Sequence, residues 1–271
     1  MSRRYDLLVL DVDGTFLTPR KQPSAAVLAA LREAQAAGVR IAFATGRMYE
    51  AIAGWVADLG LATPQIANNG ADLVDPQSGE RLYSQGLSAT TVAWLVEQGQ
   101  AVDLPTVVFA GTRVLAEAKV PEHWLLERNN EPVSIVPRTA LLDPALTIEK
   151  LLFLSLTRSA EFAALRDRLT AVEREGVSFQ ADVSETGILN FCHPLANKAQ
   201  AVTRLAGRLG IPLAHVAAVG DGDNDAGMLA TVGLGIAMGN ATPAARAAAR
   251  LSVSDNDHDG LAEAVYAHIL G

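Results

Sequence analysis

The stretch Asp6-Leu7-Leu8-Val9-Leu10-Asp11-Val12-Asp13-Gly14-Thr15 decides the fold. Its first half is a short, unbroken apolar run, the pattern of a strand buried on both faces of a parallel sheet. Its second half changes character within one residue. Period-two alternation along a strand would put Asp11 and Asp13 on the same face. Both stand at the carboxyl end of the strand, where open α/β sheets bind ligands, and Gly14 lets the chain turn at once. Two carboxylates this close repel unless a proton or a cation lies between them. A hard divalent cation answers that need: Mg²⁺ typically takes one or two carboxylates together with waters and a substrate phosphate. The rival reading is a capping aspartate beside a turn aspartate. Chance alone would supply D-x-D-G-T only about 0.002 times in a chain of this length, at ~1/20 per fixed position.

Outward from this strand the pattern repeats. Ser24 caps a helix predicted over 25–37, which ends at Gly38. A buried strand follows over 39–44, then a helix carrying Ile52, Trp55 and Val56, then a third strand at 65–67. Beyond residue 197 the rhythm returns: helix 198–209, strand 216–219, helix 223–230, strand 233–237, helix 244–250, strand 251–253 and helix 260–269. Strands and helices alternating through short connections predict βαβ crossovers and a parallel sheet. The middle reads differently. Strand-like runs at 106–110, 151–156 and 177–180, helical runs at 88–99 and 159–173, and four prolines between 121 and 144 predict a separate α+β module. The expected organisation is therefore an α/β core of residues 1–81 and 192–271, interrupted by an insertion of residues 82–191.

Composition narrows the function classes. The chain has 271 residues, 49% hydrophobic and 19% charged, which excludes disorder and gives ample apolar surface for a core. The formal net charge of -8 argues against sequence-independent nucleic-acid binding, which needs a basic face. No apolar stretch of ~20 residues is present to span a membrane. The basic start is followed by an apolar run too short for a secretion signal. A single cysteine, Cys192, excludes an internal disulfide and a multi-thiolate zinc site, and fits a reducing, cytoplasmic compartment.

Three further places carry chemistry. The second strand ends in Thr45-Gly46-Arg47, where a hydroxyl and backbone N–H groups at a strand-to-helix junction make a phosphate contact site. By itself Thr45 reads equally as a helix cap. The strand at 216–219 ends in Gly220-Asp221-Gly222-Asp223-Asn224-Asp225. An EF-hand is excluded, since no Glu stands twelfth from Asp221 and a buried strand precedes the loop. Asp221 instead completes a metal site begun by Asp11 and Asp13, with Asn224 and Asp225 orienting ligands and substrate behind it. Lys198, one of four lysines, opens a core helix at the end that cations disfavour, so an anionic partner is expected for it. Cys192 and His193 are adjacent strand residues facing opposite ways, which speaks against a Cys–His nucleophile.

Taken together, these motifs resemble the haloacid dehalogenase-like phosphatase superfamily, specifically the Cof-type hydrolases of class IIB. The matching residues are Asp11-Val12-Asp13-Gly14-Thr15, Thr45 with Gly46-Arg47, Lys198, and Gly220 through Leu229 including Met228. Lesser marks are Asn69-Gly70-Ala71, Ala237-Met238-Gly239-Asn240-Ala241 and Asp259-Gly260. Around the lysine the chain departs from the family, reading Asn190 and Leu195-Ala196-Asn197-Lys198-Ala199. The resemblance implies a Rossmann-like core with a class IIB cap at 82–191. It also implies a Mg²⁺-dependent phosphatase acting on small phosphorylated metabolites through an aspartyl-phosphate, as a monomer or weak homodimer with no nucleic-acid or membrane partner. In it Asp11 is the nucleophile, Asp13 the acid and base, and Thr45, Gly46, Arg47, Lys198 and Asn224 the substrate contacts. Asp11, Asp13 (through its main-chain carbonyl) and Asp221 hold the metal. Glu122, His123, Trp124 and Arg128 are cap candidates for the leaving group. Two alternatives stay open: a phosphosugar mutase of the same superfamily, and a non-enzymatic phosphoaspartate signalling module, which lacks the cap and needs no acid at the position of Asp13.

Overall fold

An apolar run without a single polar residue needs neighbours on both faces, and Leu7, Leu8, Val9 and Leu10 are each wholly shielded from solvent. The computed structural model describes residues 4–185 and 187–271; the first residues of the basic start, 1–3, lie outside them. In chain order the elements begin β1 (Leu7–Leu10), α1 (Ala25–Ala36), β2 (Arg40–Phe43), α2 (Tyr49–Asp58), β3 (Gln65–Ala67), β4 (Asp72–Val74) and β5 (Arg81–Ser84). There follow α3 (Ala89–Ala101), β6 (Thr106–Ala110), β7 (Arg113–Ala116), α4 (Trp124–Glu127), β8 (Val133–Ile135), α5 (Arg138–Leu141) and β9 (Lys150–Leu154). Next come α6 (Phe162–Thr170), β10 (Gln180–Glu185), β11 (Ile188–Cys192), α7 (Lys198–Leu209) and β12 (Val216–Gly220). The last are α8 (Ala226–Thr231), β13 (Leu234–Ala237), α9 (Pro243–Ala248), β14 (Leu251–Ser252) and α10 (Gly260–Ala264).

The chain forms two compact units. One comprises Met1–Gly46, Ile52–Leu82 and Asn197–Gly271; the other comprises Arg47–Ala51 and Tyr83–Ala196. In the first, the sheet runs β14-β13-β12-β1-β2 and every pairing is parallel. Helix α1 starts where Ser24 accepts the Val27 N–H at 3.1 Å, and its Val27, Ala30, Leu31 and Ala34 stripe is buried. The predicted third strand, 65–67, belongs elsewhere: β3 joins β4 and β5 in a small sheet, pairing antiparallel with β4, and meets the segment after β2 through one parallel bridge, Ala44 with Ile66.

In the second unit the sheet runs β10-β11-β9-β6-β7-β8, antiparallel except between β7 and β8. One face buries Val108, Leu151, Phe153, Leu189 and Phe191 with Leu95 of α3 and Phe162 and Leu165 of α6. The other buries Val107, Phe109, Leu152, Leu154 and Ile188 with Met48, Ala51, Leu125 and Leu126. The sequence boundary after residue 191 falls inside β11, whose Cys192 is paired with Lys150 of β9. The strand expected at 177–180 begins only at Gln180. The Ser178 N–H is already taken by Thr91 Oγ1 at 3.0 Å, and Phe179 stacks on Trp94, so the apolar run there serves packing and not a ladder. Helix α6 is also shorter than its predicted 159–173, because a 3₁₀ turn occupies Ser159–Glu161.

Candidate active site

Four adjacent parallel strands deliver their carboxyl ends to one edge of the first unit. After β1 comes Asp11, whose N–H still donates to the Val219 carbonyl at 2.9 Å; after β2 comes Thr45, after β12 Asp221, and after β13 the turn to Asn240. Strand order alone therefore collects residues far apart in sequence, at the place where such sheets bind ligands.

Lys198 opens α7 on the stripe that the helix buries, in register with Ala201, Val202 and Leu205. It is only 1% exposed. Its Nζ donates to Asp11 Oδ1 at 2.5 Å and to Asp225 Oδ1 at 2.6 Å, the anionic partners expected for it. Burial of a lone ammonium would favour its neutral form, but Asp11 and Asp225 outweigh that and hold it charged. Asp225 in turn is fixed by its other oxygen, which accepts the N–H groups of Asp221 at 3.0 Å and Gly222 at 2.9 Å. One carboxylate thus orients the lysine and shapes the loop that carries Asp221.

Asp221 is held from two sides. Thr15 Oγ1 donates to its Oδ1 at 2.9 Å, and Asn240 Nδ2 donates to its Oδ2 at 3.1 Å and to the Gly14 carbonyl at 2.9 Å. Gly14 has φ +87°, and a Cβ there would stand 2.2 Å from Asp221 Oδ2. Only glycine allows the first loop to close over this carboxylate.

Ligand oxygens of Asp11, Asp221 and Asp225 lie within 4.8 Å of one another. Three carboxylates face one ammonium, and two of them, Asp11 and Asp221, are raised, first by burial. Burial raises Asp11 well above the usual carboxylate range; Lys198 pulls it down, while Asp225 and Asp221 push it up. Burial lifts Asp221 to about 6, with the Thr15 hydroxyl opposing and the Asp225 charge adding to the rise. An all-oxygen, over-negative cluster fits a hard divalent cation such as Mg²⁺. The trio includes Asp225, which the sequence reading had orienting ligands from behind the metal, and leaves out the Asp13 carboxylate, which strand alternation had put on the same face as Asp11. The reason is local: β1 ends at Leu10, so strand alternation does not extend to Asp13, whose Oδ1 accepts from Lys21 Nζ at 2.7 Å.

The remaining expected residues form a second corner. Thr45 is buried and its carbonyl accepts the Asn69 N–H at 2.9 Å; a Cβ on Gly46 would lie 3.1 Å from Asn69 Oδ1. Asn224 Nδ2 donates to that same Asn69 oxygen at 3.0 Å. Arg47 groups with the second unit, where its Nη1 donates to the Asn129 carbonyl at 3.4 Å. Among the cap candidates, His123 is buried and Nε2 finds no hydrogen-bond partner, whereas Trp124 is exposed with the Arg128 guanidinium 4.9 Å above its ring. Thr15 and Asn240 were not singled out from sequence for any role. The sheet-edge argument that selected Asp11 would have found Asn240, since it follows β13 as Asp11 follows β1.

Fold and site define a hydrolase of the phosphatase type. The chain matches the haloacid dehalogenase-like hydrolases over residues 8–265 and belongs to that family. It is 26% identical to the pyridoxal phosphate phosphatase YbhA of Escherichia coli (strain K12) over 272 residues, covering 97% of this chain and 98% of that one. It is 30% identical to an HMP-PP phosphatase of Yersinia pseudotuberculosis over 244 residues, covering 88% of this chain and 85% of that one. A crystal structure of a haloacid dehalogenase-like hydrolase from Bacteroides thetaiotaomicron superposes with a TM-score of 0.86 at 26% identity, over 97% of this chain and 99% of that one.

Proposed function

We propose that this hydrolase is magnesium-dependent and cleaves small phosphate monoesters, sugar phosphates or similar metabolites, through a phosphoryl group carried on Asp11. The observation that carries this reading is the buried Lys198 ammonium shared between Asp11 at 2.5 Å and Asp225 at 2.6 Å, with Asp221 in the same cluster. A carboxylate nucleophile meets a dianionic phosphate only if its surroundings cancel the repulsion, and here a fixed cation touches the nucleophile directly.

An oxygen of Asp11 attacks phosphorus as the bond to the ester oxygen breaks. Asp13 gives the leaving oxygen its proton, then takes one from the water that attacks the acyl phosphate, so that Asp11 is regenerated and inorganic phosphate leaves. Lys198 holds Asp11 in place and balances charge on the group in transfer. Thr45, Gly46 and Asn224 present donors from the second corner of the site. Asp11 and Asp221, with the Asp13 main chain, would hold Mg²⁺, which when bound supplies the positive charge that three carboxylates and one lysine leave wanting. A reducing cytoplasm suits the single, buried thiol. The charge of -8 sets the surface against polyanionic partners.

The experiment is a panel of phosphate monoesters with Mg²⁺, ranked by kcat/KM, in parallel with Asp11→Asn. Free phosphate is the expected product, chelation is expected to stop its release, and Asp11→Asn is expected to be folded and inert. Phosphatase activity that survives in purified Asp11→Asn would overturn the assignment, and isomer formation from a sugar bisphosphate would point to a mutase.

A further inference from the structure

We propose that Lys21 is a substrate-contacting residue that selects leaving groups bearing a second negative charge next to the scissile phosphate. This rests on the reading above, in which Asp13 touches the leaving oxygen. Lys21 Nζ lies 2.7 Å from Asp13 Oδ1, with the lysine side chain 44% exposed and that of Asp13 28%. The pair is therefore at the open rim of the site, unlike the buried Lys198. A leaving oxygen in hydrogen-bond reach of Asp13, about 2.6–3.2 Å, would be no more than about 6 Å from this ammonium if it bonds Oδ1, and no more than about 8 Å if it bonds the other oxygen. A charged group whose oxygens stand two or three bonds beyond that leaving oxygen would reach it.

The backbone is arranged to present the side chain. Lys21 has φ +59°, the left-handed region that long side chains seldom adopt and glycine adopts freely. The conformation is fixed by a tight turn: the Lys21 N–H donates to the Thr18 carbonyl at 2.8 Å, and the Thr18 N–H and Oγ1 donate to the Gln22 carbonyl at 3.0 and 2.8 Å. That turn is anchored to the catalytic loop, since the Leu17 N–H donates to the Val12 carbonyl at 2.9 Å and Asn256 Nδ2 to the Leu17 carbonyl at 2.7 Å. A strained position on an anchored loop thus carries one of only four lysines, aimed at the proposed acid. A half-exposed ion pair adds little to stability, so holding the fold together is a weak reason for it. Lys198, on Asp11 and Asp225, is committed to the interior, whereas Lys21, on Asp13, meets solvent. When Asp13 turns to the leaving oxygen, an anion on the leaving group is the natural replacement partner for the ammonium.

The test compares two non-hydrolysable ligands, methylphosphonate and phosphonoacetate, which share the phosphonate and differ by one carboxylate on the leaving-group side. Their dissociation constants are measured by calorimetry with Mg²⁺ on wild type, Lys21→Met and Lys21→Arg. The expectation is that wild type prefers phosphonoacetate, and that Lys21→Met weakens it about tenfold or more, the loss of one charge-assisted hydrogen bond. Methylphosphonate should change by less than about twofold, and Lys21→Arg should recover most of the preference. If Lys21→Met weakens both ligands alike, or neither, the proposal is wrong. If wild type binds neither phosphonate, the phosphate-site reading itself fails and takes this proposal with it, whereas a loss confined to phosphonoacetate leaves that reading standing.

Discussion

At position 14 a side chain of any size would occupy space that Asp221 already fills. Gly14→Ala brings a Cβ to 2.2 Å from Asp221 Oδ2 and also strains a backbone at φ +87°, so the carboxylate must move. A displacement of about 1 Å in a reacting constellation costs on the order of a hundredfold in rate. The expected outcome is a loss of that size in kcat/KM, with a weaker apparent affinity for Mg²⁺, read from steady-state kinetics across a metal titration. Cys192 gives a second test at the same scale: burial pushes its thiol up to about 12, so native protein should resist alkylation at pH 8 and react only on unfolding. Such single-residue features were unevenly legible. Asp11 and Lys198 stood out because each breaks an apolar pattern, one at the end of a buried strand and one on a buried helical stripe. Lys21 broke no pattern, because a turn of exposed polar residues has none to break. Thr15 could not be assigned to Asp221 because nothing local indicates a partner 206 residues away.

The elements were legible where hydrophobic periodicity had one cause. β1, β12, α1 and α7 answer to a single burial demand each, and the cap of α1 could be placed at Ser24 and the start of α7 at Lys198. β3 was seen but placed in the wrong sheet: three buried residues look alike whether their neighbour is parallel or antiparallel. The 177–179 run was misread because apolar residues that pack against α3 resemble a strand. Site assembly depends on element ends in the same way. The Asn197 side chain accepts the Gln200 N–H at 3.0 Å and caps the helix whose first residue is Lys198. Asn197→Ala should cost about 1 kcal/mol in denaturant unfolding, with a fall in kcat larger than in substrate affinity, because the ammonium loses its fixed root. Asn240→Ala removes a side chain that ties the Gly14 carbonyl to Asp221, across the ends of β1 and β12. It should weaken Mg²⁺ binding by about tenfold or more in direct calorimetry, the scale of losing a group that orients a metal ligand.

For the whole molecule, the cluster of Asp11, Asp221 and Asp225 should make stability depend on pH, and with the proposed cation on pH and metal together. In the metal-free protein Asp221 titrates near 6 and Asp11 is also raised, against about 3.9 in an unfolded chain. Between those values the folded state holds more protons than the unfolded one, so the contribution of these groups to stability is present at low pH and is lost as pH rises through the folded value. At Asp221 that loss falls between about pH 4 and 7. Mg²⁺ requires the deprotonated ligands, so it reverses the sign: its stabilisation grows over the same interval, reaching about 2.7 kcal/mol at a hundredfold excess over Kd. Other carboxylates, such as Glu263, are lowered by hydrogen bonds and slope the opposite way, so the informative quantity is a difference. The gap in Tm between Mg²⁺-loaded and chelated protein should be small at pH 4.5 and widen steadily to pH 7. Asp221→Asn, which keeps the shape and removes one charge, should raise the Tm of the chelated protein at pH 7 and abolish most of the gap. A gap that is absent at pH 7, or one that Asp221→Asn leaves intact, would remove the cation from this cluster and with it the reason for gathering three carboxylates around one lysine.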